Sequence, residues 1–229
     1  MISVVVPTYN EAGSLPKLAE RLHAALNGRD WTLVIVDDGS PDGTADIAAA
    51  LAPRIPVTVV RRAGKAGLAS AVVAGFAAAK GDTLVVMDAD LSHPPETVPA
   101  LVAAIDGGAD LAVGSRYVKG GGVMDWPLKR RLVSRVACLM GNVLVPVRDA
   151  TSGFFALRRS VVEGVALNPI GFKIGFEVIA RGRYTTVVEV PYTFRDRELG
   201  ASKFGRREIV QYVVQLGQVA RDKLLRRIR

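Results

Sequence analysis

Short apolar runs alternate with segments of helical periodicity along the first half of the chain. The apolar runs, rich in valine and isoleucine, predict five strands over residues 2–7, 32–36, 57–60, 83–87 and 111–113. Runs without polar alternation are typical of strands buried on both faces of a sheet. Signals for a helix start stand between them at Ser14, Ser40, Gly67 and His93, three of them close to proline. This alternation predicts an α/β fold with a Rossmann-like, mostly parallel sheet flanked by helices.

The alternation ends near Gly114, and the second half of the chain is more basic. Three consecutive glycines at positions 120–122 predict a mobile loop. Residues 127–144 predict a basic and apolar helix, and residues 152–157 and 187–194 predict two further strands. The last segment predicts a long amphipathic helix with an apolar stripe formed by Ile209, Val210, Val213, Val214, Gly217, Ala220, Leu224, Leu225 and Ile228. We therefore expect a domain over residues 1–205 and a C-terminal amphipathic helix over residues 206–229.

Composition narrows the class of partner. Of the 229 residues 49% are apolar, which is enough for a sizeable core, and the formal net charge is +8. Such a charge favours a polyanionic partner: nucleic acid, an anionic membrane surface or a phosphorylated substrate. Aromatic residues are only 6% and do not alternate with basic ones, which argues against single-stranded nucleic acid. No apolar run approaches the ~20 residues that a membrane span needs, so we expect a soluble or peripheral protein.

Acidic residues follow three of the predicted strands. Glu11 comes after the strand at 2–7, Asp37 and Asp38 come after the strand at 32–36, and Asp88 and Asp90 come after the strand at 83–87. Because the carboxyl ends of parallel strands meet at one edge, these side chains are expected to line the crevice where such sheets bind ligands. An Asp-x-Asp pair offers hard oxygens for an Mg²⁺ or Mn²⁺ ion that substrate phosphates also bind. The alternative is that these acids cap helices or orient loops.

Two common nucleotide-binding signatures are absent. No G-x-G-x-x-G follows the first strand, which ends in Pro7-Thr8-Tyr9-Asn10-Glu11, and no Walker A sequence occurs. Asp37 or Asp38 could instead accept hydrogen bonds from a uracil or guanine edge or from a ribose hydroxyl.

Four stretches carry a resemblance to a known family: VVVPTYNE at 4–11, VDDGSPDGT at 36–44, MDADLSHPPE at 87–96 and GSRY at 114–117. They resemble inverting family-2 glycosyltransferases of the GT-A fold. DATSGF at 149–154, FKIGFE at 172–177, and Arg197 with GASKFG at 200–205 resemble, more narrowly, the dolichol-phosphate mannose synthases. Related glucosyl enzymes share much of this pattern. The resemblance implies that residues 1–205 form the catalytic domain.

The resemblance also implies roles for individual residues of this chain. The nucleotide sugar would be bound by Pro7, Tyr9, Glu11, Val36, Asp38, Asp88, Ala89, Asp90, Arg116, Arg197 and Lys203. The catalytic residues among these would be Asp90, Arg116, Arg197 and Lys203. Asp88 and Asp90 would bind the metal, with Ser92 at a position where many relatives carry Gln. Ser92 could be a third ligand or could cap the helix that follows.

The basic residues of the second half are candidates for an acceptor site. An acceptor phosphate would be bound by Arg116, Arg130, Arg131 and Ser134. Arginine supplies a planar fork of donors that suits a phosphate group.

The function expected from this pattern is transfer of mannose from GDP-mannose to dolichyl or another polyprenyl phosphate, with inversion and with Mg²⁺ or Mn²⁺. Residues 120–122 and 199–205 are candidate lids. The alternatives are a UDP-glucose-dependent glucosyltransferase and a non-catalytic nucleotide-sugar or membrane-binding module. Further expected partners are a membrane surface and a possible membrane-anchoring subunit, with no nucleic acid. The expected location is peripheral, on the cytoplasmic face of a membrane.

Overall fold

The computed structural model describes residues 1–168, 170–196 and 206–225, and for residues 206 and 207 it describes the backbone alone. The strands are β1 Ile2–Thr8, β2 Trp31–Asp37, β3 Val57–Arg61, β4 Thr83–Val86, β5 Leu111–Ser115, β6 Gly122–Val123, β7 Phe155–Arg158, β8 Val187–Pro191 and β9 Thr193–Phe194. The helices are α1 Leu15–Ala25, α2 Thr44–Ala50, α3 Leu68–Ala78, α4 Val98–Asp106, α5 Leu128–Asn142, α6 Ile174–Arg181 and α7 Arg206–Leu224. Two 3-10 turns, Pro95–Thr97 and Arg159–Val161, complete the described elements.

Seven strands form one sheet in the order β3-β2-β1-β4-β7-β5-β8. All neighbouring pairs are parallel except those of β7, which runs antiparallel to both β4 and β5. The short strands β6 and β9 pair with each other in a separate two-stranded sheet. The prediction of a mostly parallel sheet flanked by helices is therefore confirmed.

The core lies on both faces of this sheet. Val4, Val6 and Ile35 pack on one face, against α1 and α4, while Val5 and Val34 pack on the other, against α3 and α6. Successive residues of a strand point to opposite faces, so a strand covered on both sides must be apolar at every position. This is the physical reason for the unbroken apolar runs in the sequence.

Helix α2 begins later than the Ser40-Pro41 signal predicts. The helix starts at Thr44, because the Ser40 side chain donates instead to Asp37, at 2.5 Å. The His93-Pro94 signal likewise leads first into the 3-10 turn at Pro95–Thr97 and then into α4. Both corrections have one cause: a polar residue expected to cap a helix is bonded to the loop at the sheet edge.

The glycine run at 120–122 and the predicted strand at 187–194 also differ from expectation. Gly122 belongs to β6, and its amide donates to the Tyr192 carbonyl at 3.0 Å, while Gly121 donates to Val118 at 2.9 Å. The predicted single strand is divided at Tyr192 into β8 and β9. Strand β6, which contains Gly122, pairs with β9. The strand at the glycine run and the separate strand β9 therefore arise from the same pairing. The glycine run is thus a hydrogen-bonded turn and strand, contrary to the loop that we predicted.

Helix α7 packs on the domain through a face that the sequence did not single out. Tyr212, Gln215, Leu216 and Val219 are buried, and the Tyr212 hydroxyl donates to the Ala137 carbonyl of α5 at 3.0 Å. The predicted apolar stripe, as far as the structure describes it, is exposed: Ile209, Val210, Val213, Val214, Gly217, Ala220, Leu224 and Leu225. None of the described helices has the length and apolar composition needed to cross a bilayer.

Candidate functional site

The two carboxylates that end β2 are buried and bonded to neighbouring loops. Asp37, 2% exposed, accepts from the Ser40 amide at 2.9 Å and from the Thr8 hydroxyl at 3.2 Å. Asp38, 4% exposed, accepts from Arg62 at 2.6 Å and from the Gly67 amide at 2.9 Å. Both acids orient loops, which is one of the two roles that the sequence left open. A carboxylate offers about four acceptor positions, so these bonds leave room for a hydroxyl of a ligand on Asp38.

The other residues expected around the nucleoside lie at the ends of β1 and β2. Tyr9 has the Lys65 ammonium 4.2 Å from its ring centre. Glu11 accepts from the Ser14 hydroxyl at 2.8 Å, and its amide donates to Thr44 at 2.9 Å. Pro7 is half-buried at the same strand end, whereas Val36 is fully buried and packs in the core. Tyr9, Glu11 and Pro7 therefore line the edge, and the side chain of Val36 supports it from below.

Asp88 and Asp90 lie in the loop that follows β4, at the same edge of the sheet. The Asp88 side chain is 36% exposed, and Asp90 is partly buried. Leu91 has a left-handed backbone with φ of 63°, and the Ser92 amide turns back to donate to Asp90 at 3.1 Å. This tight turn places the two carboxylates at the cleft, with the buried Ala89 between them.

His93 holds this loop from below. The Asp88 amide donates to its Nδ1 at 3.0 Å, and its ring stacks on Phe154 with centroids 4.9 Å apart. Burial lowers the pKa of His93 to about 4, although the Asp90 charge opposes the shift. The imidazole is therefore neutral at pH 7 and its Nδ1 can accept. His93 positions the backbone of Asp88.

Ser92 is buried, and its hydroxyl has no hydrogen-bond partner within the described part of the chain. The 3-10 turn that follows has Pro94 at its N-cap and no capping bond from a side chain. The capping alternative for Ser92 is therefore wrong. Within residues 1–168, 170–196 and 206–225, no three His, Cys, Asp or Glu side chains cluster closely enough to bind a metal. A metal at Asp88 and Asp90 would need oxygen ligands from Ser92, from substrate or from water.

Arg116 follows β5 and forms a buried ion pair with Asp149. Its Nε and one terminal nitrogen each lie 2.7 Å from a different Asp149 oxygen, and the Thr151 hydroxyl accepts at 2.9 Å. Burial alone would lower the pKa of Arg116, but Asp149 raises it above its ordinary value. Burial alone would also raise the pKa of Asp149, and Arg116 holds it below the usual range. Both groups are charged, and together they contribute no net charge.

Lys173 stands beside this pair, at the N-cap of α6. Its ammonium donates to the Thr151 carbonyl at 3.1 Å and lies 4.6 Å from the centre of the Phe172 ring. Burial lowers its pKa to about 8, and the Arg116 charge adds to the shift.

The expected acceptor residues on α5, Arg130, Arg131 and Ser134, divide into two groups. Arg130 donates to Asp196 at 2.6 Å and lies over the Trp126 ring at 4.0 Å, while Ser134 accepts from the Tyr117 hydroxyl at 2.7 Å. Through Trp126 and Tyr117, both connect to the wall of the site that is formed by Arg116, Asp149 and Lys173. Arg131 is exposed on a neighbouring face of the helix.

Arg197, Lys203 and the candidate lid at 199–205 lie outside the described residues. Their assignment to the phosphates of the nucleotide sugar stays a prediction.

Sequence comparisons identify the family. The profile of the family described as Glycosyl transferase family 2 matches residues 3–165. The chain belongs to glycosyl transferase family 2. It is 51% identical over 216 residues to a dolichol-phosphate mannosyltransferase of Pyrococcus furiosus, covering 93% of this chain and 61% of that protein. It is 42% identical over 227 residues to a polyprenol monophosphomannose synthase of Mycolicibacterium smegmatis, covering 94% and 85%. A dolichol-phosphate mannosyltransferase of Saccharomyces cerevisiae is 40% identical over 230 residues, covering 95% and 86%.

These relatives are named as mannosyltransferases that act on dolichol phosphate or on another polyprenyl phosphate. The chain spans about 61% of the length of the Pyrococcus protein. Among solved structures, glucosyl-3-phosphoglycerate synthase from Mycobacterium tuberculosis, in complex with Mn²⁺, UDP-glucose and phosphoglyceric acid, matches with a TM-score of 0.69 at 23% identity. The match covers 96% of this chain and 78% of that one. At this identity the match supports the fold, and the GT-A-type architecture is confirmed.

Sequence reasoning did not assign roles to three residues of this family-2 site. Asp149 and Lys173 stand in motifs that carry the resemblance, and His93 served only as a helix-start signal. Asp149 pairs with a residue 33 positions away, and Lys173 reaches a carbonyl 22 positions away. No local pattern indicates such partners. The one available signal was the presence of charged residues in otherwise apolar stretches.

Proposed function

We propose that this chain transfers mannose from GDP-mannose to dolichyl phosphate or another polyprenyl phosphate, with inversion at the sugar carbon. The observation that carries the proposal is the pair Asp88 and Asp90, held at the carboxyl end of β4 near Arg116 and Lys173, in a chain of this family. Tyr9, Glu11, Pro7 and Asp38 would hold the nucleoside at the ends of β1 and β2, with Val36 supporting them and Ala89 lying against the diphosphate.

The loop after β4 fits a divalent cation such as Mg²⁺ or Mn²⁺. Two carboxylates at a strand end supply the hard oxygens that these ions prefer. The buried Ser92 hydroxyl, which lacks a described partner, adds a third oxygen in the same turn. Asp88, Asp90 and Ser92 would therefore hold the ion. When bound, it would supply Lewis-acid neutralisation of the leaving diphosphate.

The chemistry needs orientation more than proton transfer. The attacking oxygen of a phosphate monoester is already anionic at pH 7, so we assign no general base. The task of the protein is to bring two anions together and to offset their repulsion with fixed charges. Arg116, oriented by Asp149, would donate hydrogen bonds to the phosphates, and Arg197 and Lys203 would add the positive charges. His93 would keep the Asp88 loop in place.

The acceptor phosphate would approach from α5. Arg130 and Ser134 lie one helical turn apart and connect through Trp126 and Tyr117 to Arg116. Arg131, exposed on the neighbouring face, would bind a phosphate only if the headgroup reaches that side of the helix.

We further propose that the exposed faces of α5 and α7 rest on the membrane that contains this acceptor. On α5 and its C-cap the exposed apolar residues are Leu128, Leu132, Val133, Val136, Leu139, Met140 and Val143. Exposed Lys129, Arg131 and Arg135 accompany them. Apolar side chains ringed by cations match the interface of an anionic leaflet. Trp126, which precedes α5, does not belong to this surface, because it is buried and packs on Phe194.

The protein would thus act peripherally, on the cytoplasmic face of a membrane, alone or with a membrane-anchoring subunit. A polyprenyl chain leaves the bilayer only with difficulty, since each methylene exposed to water costs about 0.8 kcal/mol. An enzyme that binds the leaflet avoids this step.

The test of the activity uses purified protein, radiolabelled GDP-mannose or UDP-glucose, and a short polyprenyl phosphate. We expect mannose transfer that stops in excess EDTA and resumes with Mg²⁺ or Mn²⁺. Transfer from UDP-glucose instead would establish the glucosyl alternative. Binding of nucleotide sugar without any transfer would indicate a non-catalytic module.

The membrane contact is tested by cosedimentation with anionic liposomes at low and high salt. Leu139→Glu on α5 and Val213→Glu on α7 should each weaken binding. Ala77→Glu, an exposed position on α3, makes the same charge change away from both helices and should leave binding unchanged. Equal binding by all four proteins would move the membrane contact elsewhere.

A further inference from the structure

We propose that Lys173 is a further substrate-binding cation of this site, whose ammonium contacts a phosphate oxygen of the bound substrates. The inference rests on the proposed function and adds a residue to it. Nothing in the resemblance assigns a role to Lys173, although its motif, FKIGFE, is part of that resemblance.

The position of Lys173 is fixed by the packing of α6. A Cβ on Gly175 would lie 2.1 Å from the Ser152 carbonyl oxygen, so only glycine allows the helix start to approach the segment at 151–153 so closely. The Lys173 carbonyl accepts from the Glu177 amide at 3.2 Å, which ties the residue to the first turn of the helix. The side chain is thereby directed towards the Thr151 carbonyl.

The segment at 151–153 connects Lys173 to the proposed metal loop. Gly153 faces His93, with 3.7 Å between an added Cβ and the ring carbon Cε1, and His93 accepts from the Asp88 amide. The Asp88 charge also raises the pKa of Lys173, against the lowering by burial. Lys173 therefore belongs to the wall beside the carboxylates.

The charge balance of this wall makes Lys173 its uncompensated cation. Arg116 and Asp149 neutralise each other, at 2.7 Å. Among the described residues, Lys173 forms no ion pair, and its one hydrogen bond goes to a neutral carbonyl. An ammonium has three protons to donate, so two remain for a ligand. An anion beside Arg116 and Asp88 would meet this charge directly.

A structural role alone explains the residue poorly. One hydrogen bond to a carbonyl contributes roughly 1 kcal/mol, and placing an unpaired charge in a partly buried site opposes it. A methionine would fill the same space without that opposition. Charged residues with perturbed pKa values that lack a structural partner are concentrated at functional sites.

The experiment compares Lys173→Met and Lys173→Arg with Lys80→Met. Lys80 is exposed beyond α3, so its replacement makes the same charge change away from the site. We expect Lys173→Met to lower kcat/KM for mannose transfer on the order of 100-fold, the typical effect of losing one electrostatic donor. Its melting temperature should stay equal or rise. Lys173→Arg should recover part of the activity, and Lys80→Met should behave as the wild type.

Calorimetry identifies which phosphate Lys173 contacts. A weaker affinity of Lys173→Met for GDP with Mg²⁺ would indicate the donor diphosphate, and a weaker affinity for a short polyprenyl phosphate would indicate the acceptor. Unchanged affinities, an unchanged kcat/KM and a lower melting temperature would overturn the proposal and leave a structural tie. If Lys173→Met does not fold, Lys173→Gln carries the same comparison. If the wild type transfers no sugar, the proposed function fails, and the two affinities still test Lys173.

The pH dependence of kcat/KM provides a further readout, which would not change if Lys173 had only a structural role. The cationic form is the active one, and kcat/KM reports groups of the free enzyme. Since the pKa of Lys173 is about 8, kcat/KM should fall as the pH rises through that value. The charged and titratable groups that face Lys173 are Arg116, Asp149, Cys138, Asp88 and His93. In Lys173→Arg the fall should move to higher pH, and an unmoved profile would speak against the proposal.

Discussion

The two acidic pairs at the edge of the sheet, Asp37 with Asp38 and Asp88 with Asp90, look alike in sequence and differ in structure. Each pair follows a buried parallel strand. Asp37 and Asp38 are at most 4% exposed and bonded to neighbouring loops, whereas the Asp88 side chain is 36% exposed. The first pair builds the edge of the cleft, and the second presents carboxylates to it.

The cause of this difference lies in what surrounds each strand end. The loop after β3 folds over Asp38 and brings Arg62 and the Gly67 amide to its oxygens. The loop after β4 turns sharply at Leu91 and is held from below by His93, through the backbone of Asp88. Because His93 holds the Asp88 loop through the backbone amide, the Asp88 side chain stays exposed at the cleft.

The largest effect should come from Asp88→Asn and Asp90→Asn. Each should reduce metal-dependent transfer by at least about 1,000-fold, because a carboxylate ligand and its charge are lost at the reacting phosphates. Neither should change the melting temperature by more than a few degrees, since surface substitutions usually stay within about 0.5 kcal/mol. Transfer assays and thermal unfolding measure the two quantities. Activity that survives in either variant would remove that residue from the proposed metal site.

Asp38→Ala, in contrast, should lower the free energy of unfolding. Its loss leaves Arg62, which is 19% exposed at the side chain, without its 2.6 Å partner. Removing one partner of a well-buried pair costs about 3–5 kcal/mol, and partial exposure of Arg62 should reduce this to about 1–3 kcal/mol. Urea unfolding measures the change. The double variant Asp38→Ala, Arg62→Met should recover part of the loss, and strict additivity would contradict the pairing.

His93 can be separated into its two contributions. His93→Asn keeps an acceptor near the position of Nδ1, and His93→Phe keeps the ring that stacks on Phe154. We expect Asn to retain metal affinity better, and Phe to retain stability better, because the first depends on the Asp88 amide and the second on ring packing. Metal titration and thermal unfolding provide the two readouts. Equal or better metal affinity in His93→Phe would show that His93 acts only through packing.

The smallest effect should come from Ser92→Ala. A hydroxyl is a weaker ligand than a carboxylate, so we expect metal affinity to fall by about tenfold, which corresponds to 1.4 kcal/mol. Stability should be unchanged, because the hydroxyl has no described partner to lose. Isothermal titration with Mn²⁺ in the presence of GDP measures the affinity. An unchanged affinity would remove Ser92 from the site, and a loss as deep as that of Asp90→Asn would raise it to a principal ligand.

The sequence by itself determined the strands of the sheet and the edge where the acids lie. Strands buried on both faces must be apolar throughout, and parallel strands bring their carboxyl ends together, so both features follow from local composition and strand direction. Helix α1, helix α5 and the start of α7 could also be predicted from the sequence, because their signals lie within a few residues of the helix itself.

The tertiary structure alone decided which of the acidic residues hold neighbouring loops and which face the cleft. Asp38 meets Arg62 at 24 positions' distance, and Arg116 meets Asp149 at 33. It also decided that β7 inserts antiparallel between β4 and β5, and that α7 packs through Tyr212 and Leu216 while its valine stripe stays exposed. A polar side chain is satisfied by whichever partner folding brings within hydrogen-bond distance, and that partner is not recorded in the neighbouring residues.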